Sequence, residues 1–265
     1  MTIKEGIYPS PKFHAMAWAN AVRVKSGMRD TAIEKKFMGD GCCKIVDGRL
    51  KTPRLFTKYA NGQSAPIQVG NRCGGMDLVD RIEEKFPNTK AWLYHPLWKM
   101  LNGNLTLPEI WQIMVNCEID NLLDFFDRTL DGSLIRTGNV GRDKLIKLLN
   151  SKSYIDVLTF LIGLIKEAEI RLDVRLHRTS VSMLLILIPK FFNDPIIKNF
   201  AGTLFDFIES KYFRVSYAIP DSGAELIFTM SWRERHKDIS EHLSSKNSFL
   251  QSSHMYRPLF RPLYR

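Results

Sequence analysis

Cysteine is scarce, and what there is does not fall into a chemical pattern. Cys42, Cys43, Cys73 and Cys117 are the only four in 265 residues. None forms a C-x-x-C pair, and no histidine pair at finger spacing follows the Cys42-Cys43 doublet, which argues against a zinc site. The four are read as reduced thiols, as in a cytosolic protein. Long hydrophobic runs are also missing. The most apolar one, residues 183–188 before Pro189, is far shorter than the ~20 residues that cross a bilayer. The first residues, Met1-Thr2-Ile3-Lys4-Glu5-Gly6, lack the apolar centre of a secretion signal. These absences lead us to expect a cytoplasmic protein with no membrane partner.

The motifs of the common enzyme chemistries are absent too: no P-loop, no G-x-S-x-G, no H-E-x-x-H. The glycine-containing loop over residues 69–75 opens no G-x-G-x-x-G and reads as a connector. No catalytic residue, metal ligand or cofactor is assigned; enzymatic activity is left open, with the balance against it. No segment recurs at the spacing of a solenoid repeat.

What the sequence does have is an ordinary folded composition, 45% hydrophobic and 25% charged, with a net charge of +10 and a pI near 9.4. That balance favours an anionic partner, nucleic acid first. The excess is concentrated at the front: residues 1–66 hold twelve Lys/Arg against five Asp/Glu.

Inside that basic region lies the most informative stretch, Thr52-Pro53-Arg54-Leu55-Phe56-Thr57-Lys58-Tyr59-Ala60-Asn61-Gly62. Thr52 suits an N-cap and Pro53 the first helical position, where no N–H is needed. Leu55, Phe56 and Tyr59 fall on one side of the resulting helix; Arg54, Lys58 and Asn61 share the other. Asn61-Gly62 closes the last turn and Pro66 prevents continuation. A short capped helix with an apolar back and a basic, amide-bearing front is what reading a major groove needs. The same pattern also fits a surface helix whose cations are simply solvated.

Periodicity predicts helices over residues 13–26, 32–38 and 78–86, the last capped by Asp77, and Asp47-Gly48 gives a hairpin signal between them. The aromatic-dense stretch 91–98 reads as the locked edge of a small helical domain, with His95 as a buried, hydrogen-bonded histidine. Asn102-Gly103-Asn104 marks the boundary between a first domain, 1–101, and a second, 102–265. In the second, Thr106-Leu107-Pro108-Glu109 has capping-box spacing. Glu118, Asp120, Asp124 and Asp127, interleaved with apolar residues, read as the solvated face of an amphipathic helix rather than a metal site. Further helices are expected over 144–149, 154–171, 181–192 and 195–213. The fold class is mainly α: a helix-turn-helix-like bundle, a larger helical region and one short β-hairpin. The tail, with two Arg-Pro-Leu units among residues 256–265, resists helix.

The series 32–38, then 54–59 closed by Asn61-Gly62 and Pro66, then 78–86, resembles the lambda-repressor-like helix-turn-helix family. The resemblance covers about residues 13–101. It implies a DNA-binding domain in which the 53–61 helix reads DNA. Two features depart from the family: the long connection over residues 39–51 and the insertion over 67–76.

The leading expectation is therefore a DNA-binding protein, a bacterial regulator or a mobile-element or defence component. Arg54, Thr57, Lys58 and Asn61 would face bases or phosphates, with Arg49, Lys51 and Gln63 on the flanking backbone. The carboxy-terminal helices would supply homodimerisation or a protein partner. Two alternatives stay open. One is an all-helical interaction subunit or effector with no DNA contact. The other is a metal-dependent nuclease built on Asp221, Glu234 and Lys237, whose spacing departs from the usual carboxylate pattern.

Overall fold

The computed structural model describes residues 13–38, 44–46, 49–51, 55–63, 75–120, 122–136, 142–213, 215–218, 225–228 and 231–233. The protein is mainly helical. It divides into two units, residues 1–98 with 194–200, and residues 99–193 with 201–265. The division falls between Trp98 and Lys99, close to the boundary read at Asn102; the return of Asp194–Phe200 to the first unit was not foreseen.

In the first unit, α1 (Phe13–Ser26) packs against α3 (Leu55–Ala60) and α5 (Lys90–Leu93), and α2 (Asp30–Met38) against α3 and α4 (Gly75–Lys85). Helix α1 is rich in alanine, and Ala15, Ala17, Ala19 and Ala21 are all buried. Small side chains on several faces let neighbours approach from more than one side, so burial here exceeds a single amphipathic stripe. The core joins Trp18 and Val22 of α1, Ile33 of α2, Phe56 and Tyr59 of α3, and Leu78, Val79 and Ile82 of α4. Each large apolar side chain buried this way contributes about 1.5–3 kcal/mol.

The corner between α1 and α2 is fixed electrostatically. Gly27 takes φ +64° and ends α1. Arg23 then forks onto Asp30, its Nε and Nη2 each 2.6 Å from a different carboxylate oxygen. Such paired, charge-assisted bonds define direction as well as distance. The segment 194–200 is held on α1 by Asn20, whose Nδ2 donates to the Ile196 carbonyl at 2.7 Å, and by stacking of Phe13 on Phe200.

The hairpin expected around Asp47-Gly48 is formed by β1 (Lys44–Val46) and β2 (Arg49–Lys51), antiparallel, with Lys44 opposite Lys51, Ile45 opposite Leu50 and Val46 opposite Arg49. Helix α4 begins at Gly75, ahead of the expected cap Asp77. Its Glu83 serves the next corner instead, accepting from the Thr89 hydroxyl and the Lys90 amide at 2.9 and 2.7 Å. His95 is half-buried and accepts from the Leu97 amide at 3.2 Å. It therefore caps the start of α6 (Pro96–Asn102), whose Trp98 indole donates to the Trp92 carbonyl.

The second unit is built around the long pair α9 (Tyr154–Arg171) and α10 (Val174–Asn193), with α7 (Leu107–Val115) and α8 (Arg142–Leu149) packed on them. The expected capping box is present: the Glu109 carboxylate accepts from both the Thr106 amide and its hydroxyl, at 2.9 and 2.8 Å. Two expectations fail here. Residues 118–127 form no amphipathic helix. A 3₁₀ turn at Leu122–Phe125 leads into β3 (Phe126–Arg128), which pairs with β4 (Leu134–Arg136). The reason is tertiary: Phe125 and Phe126 both pack edge-on to Phe160 of α9. Between the strands the Asp131 carboxylate gathers Thr129 and Ser133 around Gly132, at φ +81°. Likewise residues 195–213 are not one helix. Asp194 accepts from the Ile196 and Ile197 amides, and the helix proper is α11 (Ala201–Ile208), continued by a wider π-type turn at Glu209–Phe213. A third hairpin joins β5 (Val215–Ala218) and β6 (Glu225–Phe228).

The most highly charged part of this core is a buried ion cluster. Glu167 of α9 is fully buried and accepts from Arg136 Nε at 2.6 Å and from the Trp111 indole at 3.0 Å, with Arg171 Nε 3.3 Å away. Among the described residues no helix is long and apolar enough to cross a membrane.

Candidate nucleic-acid interface

Helix α3 is held at both ends by bonds that pin its orientation. At its amino end the carboxylate of Glu34, on α2 and only 4% exposed, accepts from the Thr57 amide at 3.0 Å and the Thr57 hydroxyl at 3.1 Å. A negative charge there satisfies an otherwise unpaired N–H and complements the helix dipole. At the carboxyl end the Gln63 amide donates to the Lys58 carbonyl at 2.9 Å and the Gly62 amide to the Tyr59 carbonyl at 3.0 Å. With Gly62 at φ +65° this is a Schellman closure. A Cβ on Gly62 would also lie 2.9 Å from Met16 Sδ of α1. Gly62→Ala is expected to lower stability by about 1–2 kcal/mol, read by denaturant unfolding, because an L residue is strained in this conformation.

The apolar back of α3 is as expected: Phe56 and Tyr59 are fully buried, their rings 5.6 and 5.8 Å from that of Trp18. Burial pushes the Tyr59 phenol pKa upward, and its hydroxyl has no hydrogen-bond partner. Tyr59→Phe is therefore expected to leave stability unchanged or raise it by up to about 1 kcal/mol in the same measurement, since the desolvation cost of the hydroxyl is removed.

The front of the helix divides the sequence-predicted residues. Lys58, Asn61 and Gln63 are exposed on the last turn and its closure. Thr57 is only partly exposed, and its hydroxyl is engaged by Glu34. Arg49 and Lys51 lie on β2. Arg54 lies outside the described residues, as do the Thr52 cap, Pro53, Asp221, Glu234, Lys237 and the tail.

Reading the sequence for the helix front alone missed the contribution of α2. Its two acids are both engaged within the protein, Asp30 by Arg23 and Glu34 by Thr57. Arg29, just ahead of α2, and Lys35 and Lys36 on it are exposed, Lys36 with its ammonium 5.7 Å from the centre of the Phe37 ring. On the described faces of α2 and α3 the exposed charge is thus of one sign, carried by Arg29, Lys35, Lys36 and Lys58. The Glu34-Lys35-Lys36 run was a visible signal, but counted along the chain its glutamate offsets a lysine. Only the fold takes that carboxylate off the surface.

Among the described residues no group of three His, Cys, Asp or Glu side chains is placed to hold a metal ion. Cys117 is buried and free, and burial pushes its thiol pKa well up. No protein-family model matches the chain, and neither curated proteins nor solved structures yield a match.

Proposed function

We propose that the chain binds nucleic acid, duplex DNA first, through the surface made by α2 and the last turn of α3. The observation that carries this reading is the single sign of exposed charge there: four cations, with Glu34 of α2 buried and Asp30 ion-paired with Arg23. Lysine and arginine supply the sequence-independent phosphate attraction, and Asn61 and Gln63 are amide groups of the kind that read adenine edges. The two anchored ends of α3 hold these groups on a rigid element, which reduces the ordering cost of binding.

Fluorescence anisotropy with a labelled duplex, titrated across salt concentration, tests the reading. If all four cations neutralise phosphates, log affinity falls against log salt with a slope of about −3 to −4. Lys58→Ala is expected to make that slope shallower by about 1 and to weaken binding to every sequence alike. Affinity and slope both unchanged in Lys58→Ala would place the nucleic acid elsewhere on the protein.

A further inference from the structure

Between α2 and α3 the chain forms the β1–β2 hairpin, and its register sorts residue types by face. Residues directly opposite one another in an antiparallel pair share a face, as do alternate residues along each strand. Lys44 stands opposite Lys51 and Val46 opposite Arg49, so those four positions make up one face; Ile45 and Leu50 make up the other. One face of the ribbon thus carries three cations and the other an aliphatic pair. The sole acid of residues 44–51 is Asp47, between the two strands.

Setting Lys44 directly opposite Lys51 is unfavourable in the free protein. Like charges at opposed positions repel, and the Cβ positions of such a pair are about 5 Å apart. A two-stranded ribbon with three residues in each strand has little pairing energy to set against that repulsion. Lysine on an edge strand guards it against pairing with another copy. That role is met by one lysine on each strand in any register and does not need the two to be opposed. A phosphate lying on the same face replaces one repulsion with two attractions.

The hairpin is also joined closely to the helices proposed to bind nucleic acid. Only residues 52–54 separate Lys51 from Leu55 at the start of α3, a span of at most about 14 Å. Residues 39–43 separate Met38 at the end of α2 from Lys44, at most about 21 Å. Both helices and the hairpin belong to the unit of residues 1–98 with 194–200. A B-form major groove admits either an α-helix or a two-stranded ribbon. Resting on the α2–α3 reading above, we infer that the Lys44–Arg49–Lys51 face of the hairpin is a second phosphate-binding surface for duplex DNA, and that its strand pairing tightens when DNA is bound.

Anisotropy of a labelled duplex across salt concentration, on the full chain, separates this surface from the helices alone. Three further phosphate contacts steepen the slope of log affinity against log salt to about −6. Lys44→Gln is expected to make that slope shallower by about 1 and to weaken binding about 5- to 10-fold at about 0.1 M salt. Lys44→Glu tells a binding role from a structural one, because it sets an acid opposite Lys51. In the free protein it is expected to lower the hydrogen-exchange opening constant of residues 44–51 about threefold or more, yet to weaken DNA binding further than Lys44→Gln does. Saturating duplex is expected to lower the same opening constant in the unaltered protein. A slope of about −3 to −4 that Lys44→Gln leaves unchanged, while Lys58→Ala still weakens binding, overturns the inference and leaves the α2–α3 reading standing. A tighter hairpin with undiminished binding in Lys44→Glu overturns it as well. No effect of either Lys44→Gln or Lys58→Ala overturns both readings.

Discussion

Replacing Glu167 with glutamine is expected to cost about 3–5 kcal/mol of unfolding free energy, measured by denaturant titration. The substitution preserves shape and removes only charge. What it leaves behind is the Arg136 guanidinium, whose side chain is 6% exposed and whose buried counter-charge is gone. Arg171 suffers less, because its side chain is 41% exposed and is free to turn to water. The Trp111 indole keeps an oxygen to donate to, so the loss measures the removed counter-charge rather than a missing hydrogen bond. Removing both charges together, as Arg136→Met with Glu167→Leu, is expected to cost clearly less than Glu167→Gln alone. Desolvating the pair offsets much of its Coulomb attraction, and what remains is chiefly the unpaired indole. A double variant as damaged as the single one would mean that the cluster stabilises the unit through its net attraction.

The largest effect on binding is expected from reversing the α2–α3 charge. In the triple variant Lys35→Glu, Lys36→Glu and Lys58→Glu, affinity for duplex DNA at about 0.1 M salt is expected to fall at least about 100-fold, because the three proposed phosphate contacts would be replaced by repulsion. All three side chains are exposed, and surface substitutions of this kind usually change stability by less than about 0.5 kcal/mol. An unchanged thermal transition is the control that separates lost binding from lost folding.

How far this fold was legible from sequence depended on whether an element's ends were marked locally. Helices α1 and α9 match their expected spans because Gly27 and Ser153 mark a boundary and the apolar spacing between is regular. The α3 closure and the Thr106–Glu109 box were legible for the same reason. Helix α10 was expected to begin at Val181 and begins at Val174. Its first turns bury His177 and Ser180, polar residues that break the apolar stripe, and the decisive cap is Asp173, which accepts from the Leu176 amide. The acidic stretch 118–127 misled because its period fits a helix, whereas Phe125 and Phe126 are committed to Phe160 across the core.

The candidate site shows the same limit. Exposure of Lys58, Asn61 and Gln63 follows from helix periodicity and the glycine closure. The engagement of Thr57 by Glu34 spans 23 residues and rests on how α2 packs against α3, a contact that no local pattern carries. The charge of the surface was hidden for a related reason. Asp30 and Glu34 count against the cations along the chain, but Asp30 is ion-paired with Arg23 and Glu34 is buried against Thr57.

The most direct test of the nucleic-acid reading is a backbone amide NMR titration of the full chain with a short duplex. Shifts are expected to concentrate on Arg29–Lys36 and Lys58–Gln63, to fade as salt is raised and to be missing from the charge-reversed triple variant. Shifts confined to residues 102–265, or an undisturbed spectrum at low salt, would contradict it.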